Sequence, residues 1–165
     1  MIKELIVAYA LQDVFCVEAI DKLSKGKAEA DFEKRIVCSM IIDEARRQQV
    51  RPIRALSVAW EESRFTYQSK PTRSRCIGPL QIKIKYWCKN GKLKNCNTIK
   101  DGVSALKHMI DNFKPIRKAY CYYNDSRKPE CKTDYMSDYV KGVVKNYYNI
   151  KKVATKDEFK SLKVF

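Results

Sequence analysis

The sequence predicts a mainly helical single domain, with one small β-hairpin or irregular loop region set among the helices. Three observations carry this expectation. Apolar residues recur at three- and four-residue spacing over several long stretches. Only five Gly and five Pro are spread over 165 residues, too few for a loop-dominated or fibrous chain. Alternation of the strand type stands out in one stretch, Cys76 to Tyr86. A chain of this length is expected to build one domain around a core of its own.

Residues 2–23 place Leu5, Ile6, Tyr9, Val14, Val17, Ala19 and Ile20 among charges, a pattern for one helix or for two joined near Gln12. Ser24-Lys25-Gly26-Lys27 is a stop signal. Over residues 28–48 the apolar stripe is Phe32, Ile36, Val37, Met40, Ile41 and Ala45. Pro52 suits the first turn of a third helix running to Arg64, with Ile53, Leu56, Ser57 and Trp60 facing inward. Residues 66–75 read as an irregular loop, and Cys76 to Tyr86 as a short strand or hairpin. Asn90-Gly91 marks a turn. Residues 98–113 return to helix through Ile99, Val103, Leu106, Met109 and Ile110. Pro115 either interrupts that helix or begins another, and residues 120–132 read as a loop. A last helix from about Tyr135 carries Tyr139, Val140, Val143, Val144 and Tyr147, and residues 151–165 form a basic, weakly patterned tail.

Composition bounds the function. Charged residues at 32% beside hydrophobic residues at 45% fit a soluble globular protein rather than a disordered chain. The net charge of +15, from 34 basic and 19 acidic residues, predicts attraction to a polyanion: nucleic acid, an anionic membrane surface or a cell-wall polymer. No helix-turn-helix, zinc-finger or RNA-binding signature is present, so a nucleic-acid partner is not expected. There is no CxxC and a single histidine, His108, so neither metal nor cofactor is expected. Of seven cysteines, Cys16 and Cys38 sit in apolar helical patterns and read as buried thiols, whereas Cys88/Cys96 or Cys121/Cys131 could bridge in an oxidising compartment. The first 20 residues are too short and too charged for a secretory signal or a membrane span. The protein is therefore expected to be made in a cytoplasm, without membrane insertion, and to leave by another route.

The chemistry concentrates where the third helix ends. Glu61 and Glu62 are about 100 degrees apart around the helix axis and cannot share one environment. Four residues before Glu62 stands apolar Val58; four before Glu61 stands Ser57. Burial slightly favours Glu62 as the perturbed carboxyl, and periodicity alone leaves the choice open. Downstream come the Gly78-Pro79-Leu80-Gln81 turn and the block Tyr122-Tyr123-Asn124-Asp125-Ser126.

Glu62-Ser63, Gly78-Pro79-Leu80-Gln81 and Tyr123-Asn124, in this order, resemble the lytic transglycosylases with the goose-lysozyme-like fold. The resemblance spans residues 53–126. Departures are Arg75-Cys76 where the family usually has Gly-Ala, Leu80 for Met, Tyr122 for Ala and Ser126 for Gly. It implies a lysozyme-like (α+β) domain that cleaves peptidoglycan between N-acetylmuramic acid and N-acetylglucosamine. Glu62 would be the catalytic acid and base, with the substrate's own 6-hydroxyl attacking to give a 1,6-anhydro sugar. Ser63 and Gln81 would hydrogen-bond near the acid or the sugar, Asn124 would fix the loop or contact the sugar, and Tyr123 would orient Glu62. Asp101, Asp111 and Asp125 leave room for a hydrolytic muramidase, and the charge for a non-catalytic polyanion binder. Tyr67 is a candidate groove residue, and His108 is expected on the exposed side of its helix. A monomer delivered by a bacteriophage, as endolysin or wall-piercing enzyme, and acting on the periplasmic wall is the expected context.

Overall fold

The computed structural model describes residues 2–26, 31–125, 129–132 and 136–162. The element order is α1 (Ile2–Ser24), α2 (Phe32–Arg47), α3 (Pro52–Ser63), β1 (Cys76–Ile77), β2 (Ile82–Lys83), α4 (Ile84–Trp87), α5 (Thr98–Asn112), α6 (Ile116–Asp125) and α7 (Asp138–Ala154). The fold is mainly helical, with a two-stranded antiparallel sheet pairing Cys76 with Lys83 and Ile77 with Ile82. No described helix is long and apolar enough to cross a membrane.

Helix α3 is the axis of the core. Every residue from Pro52 to Trp60 except Arg54 is buried, so it has almost no polar face and must be covered from several sides. Helices α2 and α7 pack against it, and α1 packs on both α2 and α7. The helices start where the sequence supplies oxygen acceptors for otherwise unbonded amides. Asp31 accepts from the Lys34 amide at 2.9 Å, Asn97 from the Lys100 amide at 3.0 Å, and Ser137 from the Val140 amide at 3.4 Å. Arg64, left-handed at φ 55°, ends α3, and its amide donates to the Trp60 carbonyl.

Several expectations are corrected. Helix α1 is continuous through Gln12 and Asp13. On it, Ile6, Tyr9 and Val14 are exposed, and Phe15, Cys16, Ala19 and Ile20 are buried. On α2, Phe32, Ile36 and Met40 face solvent, and Val37, Cys38, Ile41, Ile42 and Ala45 face inward. A helix with apolar residues on both sides has no single direction legible from its period; the packing partner chooses. Cys16 and Cys38 are not thiols. They form a disulfide with Cα atoms 6.0 Å apart, set by the register in which α1 lies on α2. Cys88–Cys96 and Cys121–Cys131 are also bridged, which leaves Cys76 free.

Alternation in Cys76 to Tyr86 ends after β2, since Ile84 and Tyr86 belong to the helical turn α4. Residues 120–125, read as loop, complete α6, where Tyr122 stacks on Phe113 with ring centroids 4.1 Å apart. Residues 151–154 extend α7, and a 3-10 helix over Asp157–Leu162 follows. Phe159 in that turn is fully buried, edge-on to Phe15 at 5.4 Å. The tail therefore closes the core beneath α1 as far as Leu162. The expected helix start at Tyr135, together with residues 28–30, Ser126 and 163–165, lies outside the described residues.

The hairpin turn depends on one glycine. Gly78 has φ +75°, and a Cβ there would lie 2.4 Å from Cβ of Thr98 on α5. Gly78→Ala is expected to destabilise the protein by about 2–3 kcal/mol, combining left-handed strain with overpacking against the buried Thr98 side chain. Urea unfolding of the two proteins measures it.

Candidate active site

Glu62 sits in the last turn of α3, mostly buried, at the edge of an open groove of about 770 Å³. The groove has two walls. Cys76, Gln81, Ile82 and Lys83 of the hairpin, with Tyr86 and Trp87 of α4, make one; Met109 of α5 and Tyr122, Tyr123, Asn124 and Asp125 of α6 make the other. The three sequence blocks thus meet in space: Glu62, Gln81, Tyr123 and Asn124 line the same groove.

Burial pushes the Glu62 carboxyl up to about 7 from its usual 4.5. Two smaller influences act against each other. The Tyr139 hydroxyl donates to Glu62 Oε1 at 2.7 Å and stabilises the anion, while the neighbouring Glu61 charge disfavours it. Glu61 itself turns to α7, accepting from Asn146 Nδ2 at 2.9 Å. Gly142 makes room for it: a Cβ there would fall 2.3 Å from Glu61 Oε1. Periodicity separates the two glutamates only weakly; the structure turns Glu61 to Asn146 of α7, and it is not among the groove-lining residues.

Tyr139 is the partner of the Glu62 carboxyl that sequence reasoning missed, since its helical spacing places it among core positions. Tyr123, expected to orient Glu62, instead donates to the Leu80 carbonyl at 2.7 Å. It ties α6 to the hairpin turn. Burial, reinforced by the Glu62 charge, raises its pKa well above the ordinary value. Ser63 is not among the groove-lining residues; its hydroxyl donates to the Pro79 carbonyl at 2.8 Å and pins the end of α3 to the same turn. Gln81, left-handed at φ 49°, donates through Nε2 to Gln68 Oε1 at 2.7 Å and to the Gly78 carbonyl at 2.8 Å. Three side chains expected near the sugar or the acid therefore also build the turn that shapes the groove. Asn124 lines the groove, and Tyr67 is exposed and is not among its lining residues.

Arg75 and Cys76 shape the rim. Arg75 is left-handed at φ 58°, and Thr72 and Cys76 exchange backbone and side-chain hydrogen bonds across it at 2.9 and 3.1 Å. Burial raises the pKa of the free Cys76 thiol, with Lys83 acting in the opposite sense. His108 is exposed and lies edge-on to Trp87 at 5.6 Å. The described residues hold one group of three possible metal ligands, Cys88, Cys96 and Asp101, but its two sulfurs are bonded to each other. The site can offer a proton near neutrality to a ligand lying in an open groove lined by aromatic and polar side chains. Comparison with protein-family models, with curated proteins and with solved structures finds no match for the chain.

Proposed function

We propose that the protein is a lysozyme-like enzyme that cleaves peptidoglycan glycan strands by lytic transglycosylation. The observation that carries this reading is a single carboxyl, Glu62, raised to about 7 at the edge of a groove large enough for several sugar rings. Cleavage of the bond between N-acetylmuramic acid and N-acetylglucosamine needs a proton on the departing glycosidic oxygen. Protonated Glu62 supplies it as the C1–O bond breaks. The resulting carboxylate takes the proton of the muramic acid 6-hydroxyl as that oxygen bonds to C1. A 1,6-anhydro sugar forms, and Glu62 ends protonated as it began. Tyr86, Trp87 and Tyr122 suit sugar faces, and no cofactor enters.

Tyr139 positions the carboxyl. Because its hydrogen bond lowers the Glu62 pKa, Tyr139→Phe raises it. The alkaline limb of kcat/KM against pH is expected to move above 7, with kcat reduced about tenfold as the carboxyl loses its orientation. A rate profile of the two proteins checks both effects.

A monomer acting on the bacterial wall, as a phage-delivered or released endolysin, fits the size and charge. The three disulfides fit work in an oxidising compartment. A second reading rests on Asp125, a further carboxylate lining the groove. With Asp125 activating a water, the same acid would make a muramidase. Mass spectrometry of digested peptidoglycan decides. Anhydromuramic ends support transglycosylation, and reducing muramic ends without anhydro product overturn it in favour of hydrolysis.

A further inference from the structure

Between Glu62 and Asp101 the chain carries ten basic residues and no acidic one. Five of the ten, Lys83, Lys85, Lys89, Lys92 and Lys94, fall in one lobe. It runs from Lys83 at the end of β2 through α4 and two 3-10 turns, Lys89–Gly91 and Leu93–Asn95, and is closed by the Cys88–Cys96 disulfide with Cα atoms 4.6 Å apart. Inside it the Gly91 amide donates to the Cys88 carbonyl at 2.8 Å, and Asn95 Nδ2 to the Lys89 carbonyl at 3.2 Å. Asn90 and Gly91, both at positive φ, fold the chain back on α4, so that a Cβ on Gly91 would lie 3.3 Å from the Lys85 carbonyl oxygen. Lys85, Lys89, Lys92 and Lys94 are exposed. Among the described residues, none of the five lysines is in a salt bridge. The lobe adjoins the site: Lys83, Tyr86 and Trp87 line the groove that holds Glu62.

A fixed array of like charges repels itself, and the Asp101 carboxylate, within 4.8 Å of the Cys88 and Cys96 sulfurs, accepts from the Asn97 amide and is in no salt bridge with these lysines among the described residues. The helices elsewhere behave differently, carrying i,i+3 and i,i+4 ion pairs such as Lys107–Asp111 and Lys141–Asp138. We propose that the lobe at Lys83–Cys96 is a subsite for anionic groups carried by the glycan, either carboxylates of attached peptides or phosphates of an attached polymer. The proposal rests on the glycan-cleaving reading of the groove. Held by its substituents at the lobe, the strand is laid along Trp87 and Tyr86 towards Glu62.

Co-sedimentation with wall sacculi tests this, using intact sacculi, sacculi freed of phosphate polymer, sacculi freed of peptides, and sacculi freed of both. The proteins are wild type, the lobe variant K89Q/K92Q/K94Q, and a charge-matched control, K145Q/K151Q/K152Q, on α7. The lobe variant is expected to bind intact sacculi about tenfold more weakly, three surface charge pairs being lost, with the control unchanged. The stripped preparation that abolishes the difference between wild type and lobe variant identifies carboxylate or phosphate. Equal weakening of lobe variant and control, or wild-type binding to doubly stripped glycan as tight as to intact sacculi, overturns the proposal. Soluble fragments released by wild type are measured in the same tubes. Their absence overturns the enzyme reading, whereas release with lobe-independent binding overturns the subsite alone.

Discussion

Glu62→Gln is expected to lower the rate of wall-glycan cleavage by about a thousandfold, the amount a positioned general acid contributes. The amide keeps the size of the side chain and can still meet the Tyr139 hydroxyl, so the groove keeps its shape. What is lost is the one proton the site can deliver near neutrality. The same substitution has a stability effect of opposite sign. Burial raises the folded-state value of Glu62 from 4.5 to about 7. Below the ordinary value both folded and unfolded chains hold the proton, and Glu62 costs no stability through ionisation. As the pH rises between 4.5 and 7, the unfolded chain releases its proton while the folded chain retains it, so stability declines across that window. Above 7 the full cost is present. Glutamine has no such proton. Glu62→Gln should therefore stabilise the protein above neutrality by up to about 2 kcal/mol, the shift being discounted for solvent at the groove edge. It should do little at pH 4. Thermal unfolding at the two pH values, beside a fragment-release assay, separates the loss of chemistry from any loss of fold.

Phe65→Ala is expected to destabilise the protein by about 3–5 kcal/mol, the range for emptying a fully buried aromatic site. Phe65 is fully buried, and its ring meets Trp60 edge-on at 5.3 Å. It follows Arg64 in left-handed backbone, at φ 61°, a conformation that a bulky residue adopts only under strong constraint. Its buried ring supplies that constraint. The chain therefore leaves α3 through two consecutive left-handed residues, which turns the loop away while Glu62 stays at the groove. Alanine keeps the strain and removes the anchor. Denaturant unfolding gives the stability change. Because Ser63 still ties α3 to the hairpin turn through Pro79, residual activity should fall in step with the folded fraction.

What was legible in the sequence followed from dense local patterns. Pro52 and the apolar stripe after it announced α3, and the stripe through Ile99, Val103 and Leu106 announced α5. Asn90-Gly91 marked a turn that adopts positive φ at both residues. Glu62 could be picked out because three short blocks kept a recognisable order. Contacts that need register between distant segments were not legible. Tyr139 stands 77 residues from the carboxyl it binds, and nothing in its own helical pattern points there. The Cys16–Cys38 bridge depends on how α1 slides along α2. The outward stripe Phe32, Ile36 and Met40 shows the same limit, since periodicity defines a face without saying what covers it. Helix α6 was hidden by Tyr, Cys, Asn and Asp, residues of modest helix propensity, and owes its form to packing on Phe113 and α5.

The central claim is that Glu62 keeps its proton to near neutrality at the groove. A carbon-13 NMR titration of the glutamate side-chain carboxyls, with Glu62→Gln assigning the signal, tests it directly. The expected midpoint for Glu62 is about 7. A midpoint at the ordinary glutamate value of 4.5 would contradict the claim and remove the proton donor on which the proposed reaction depends.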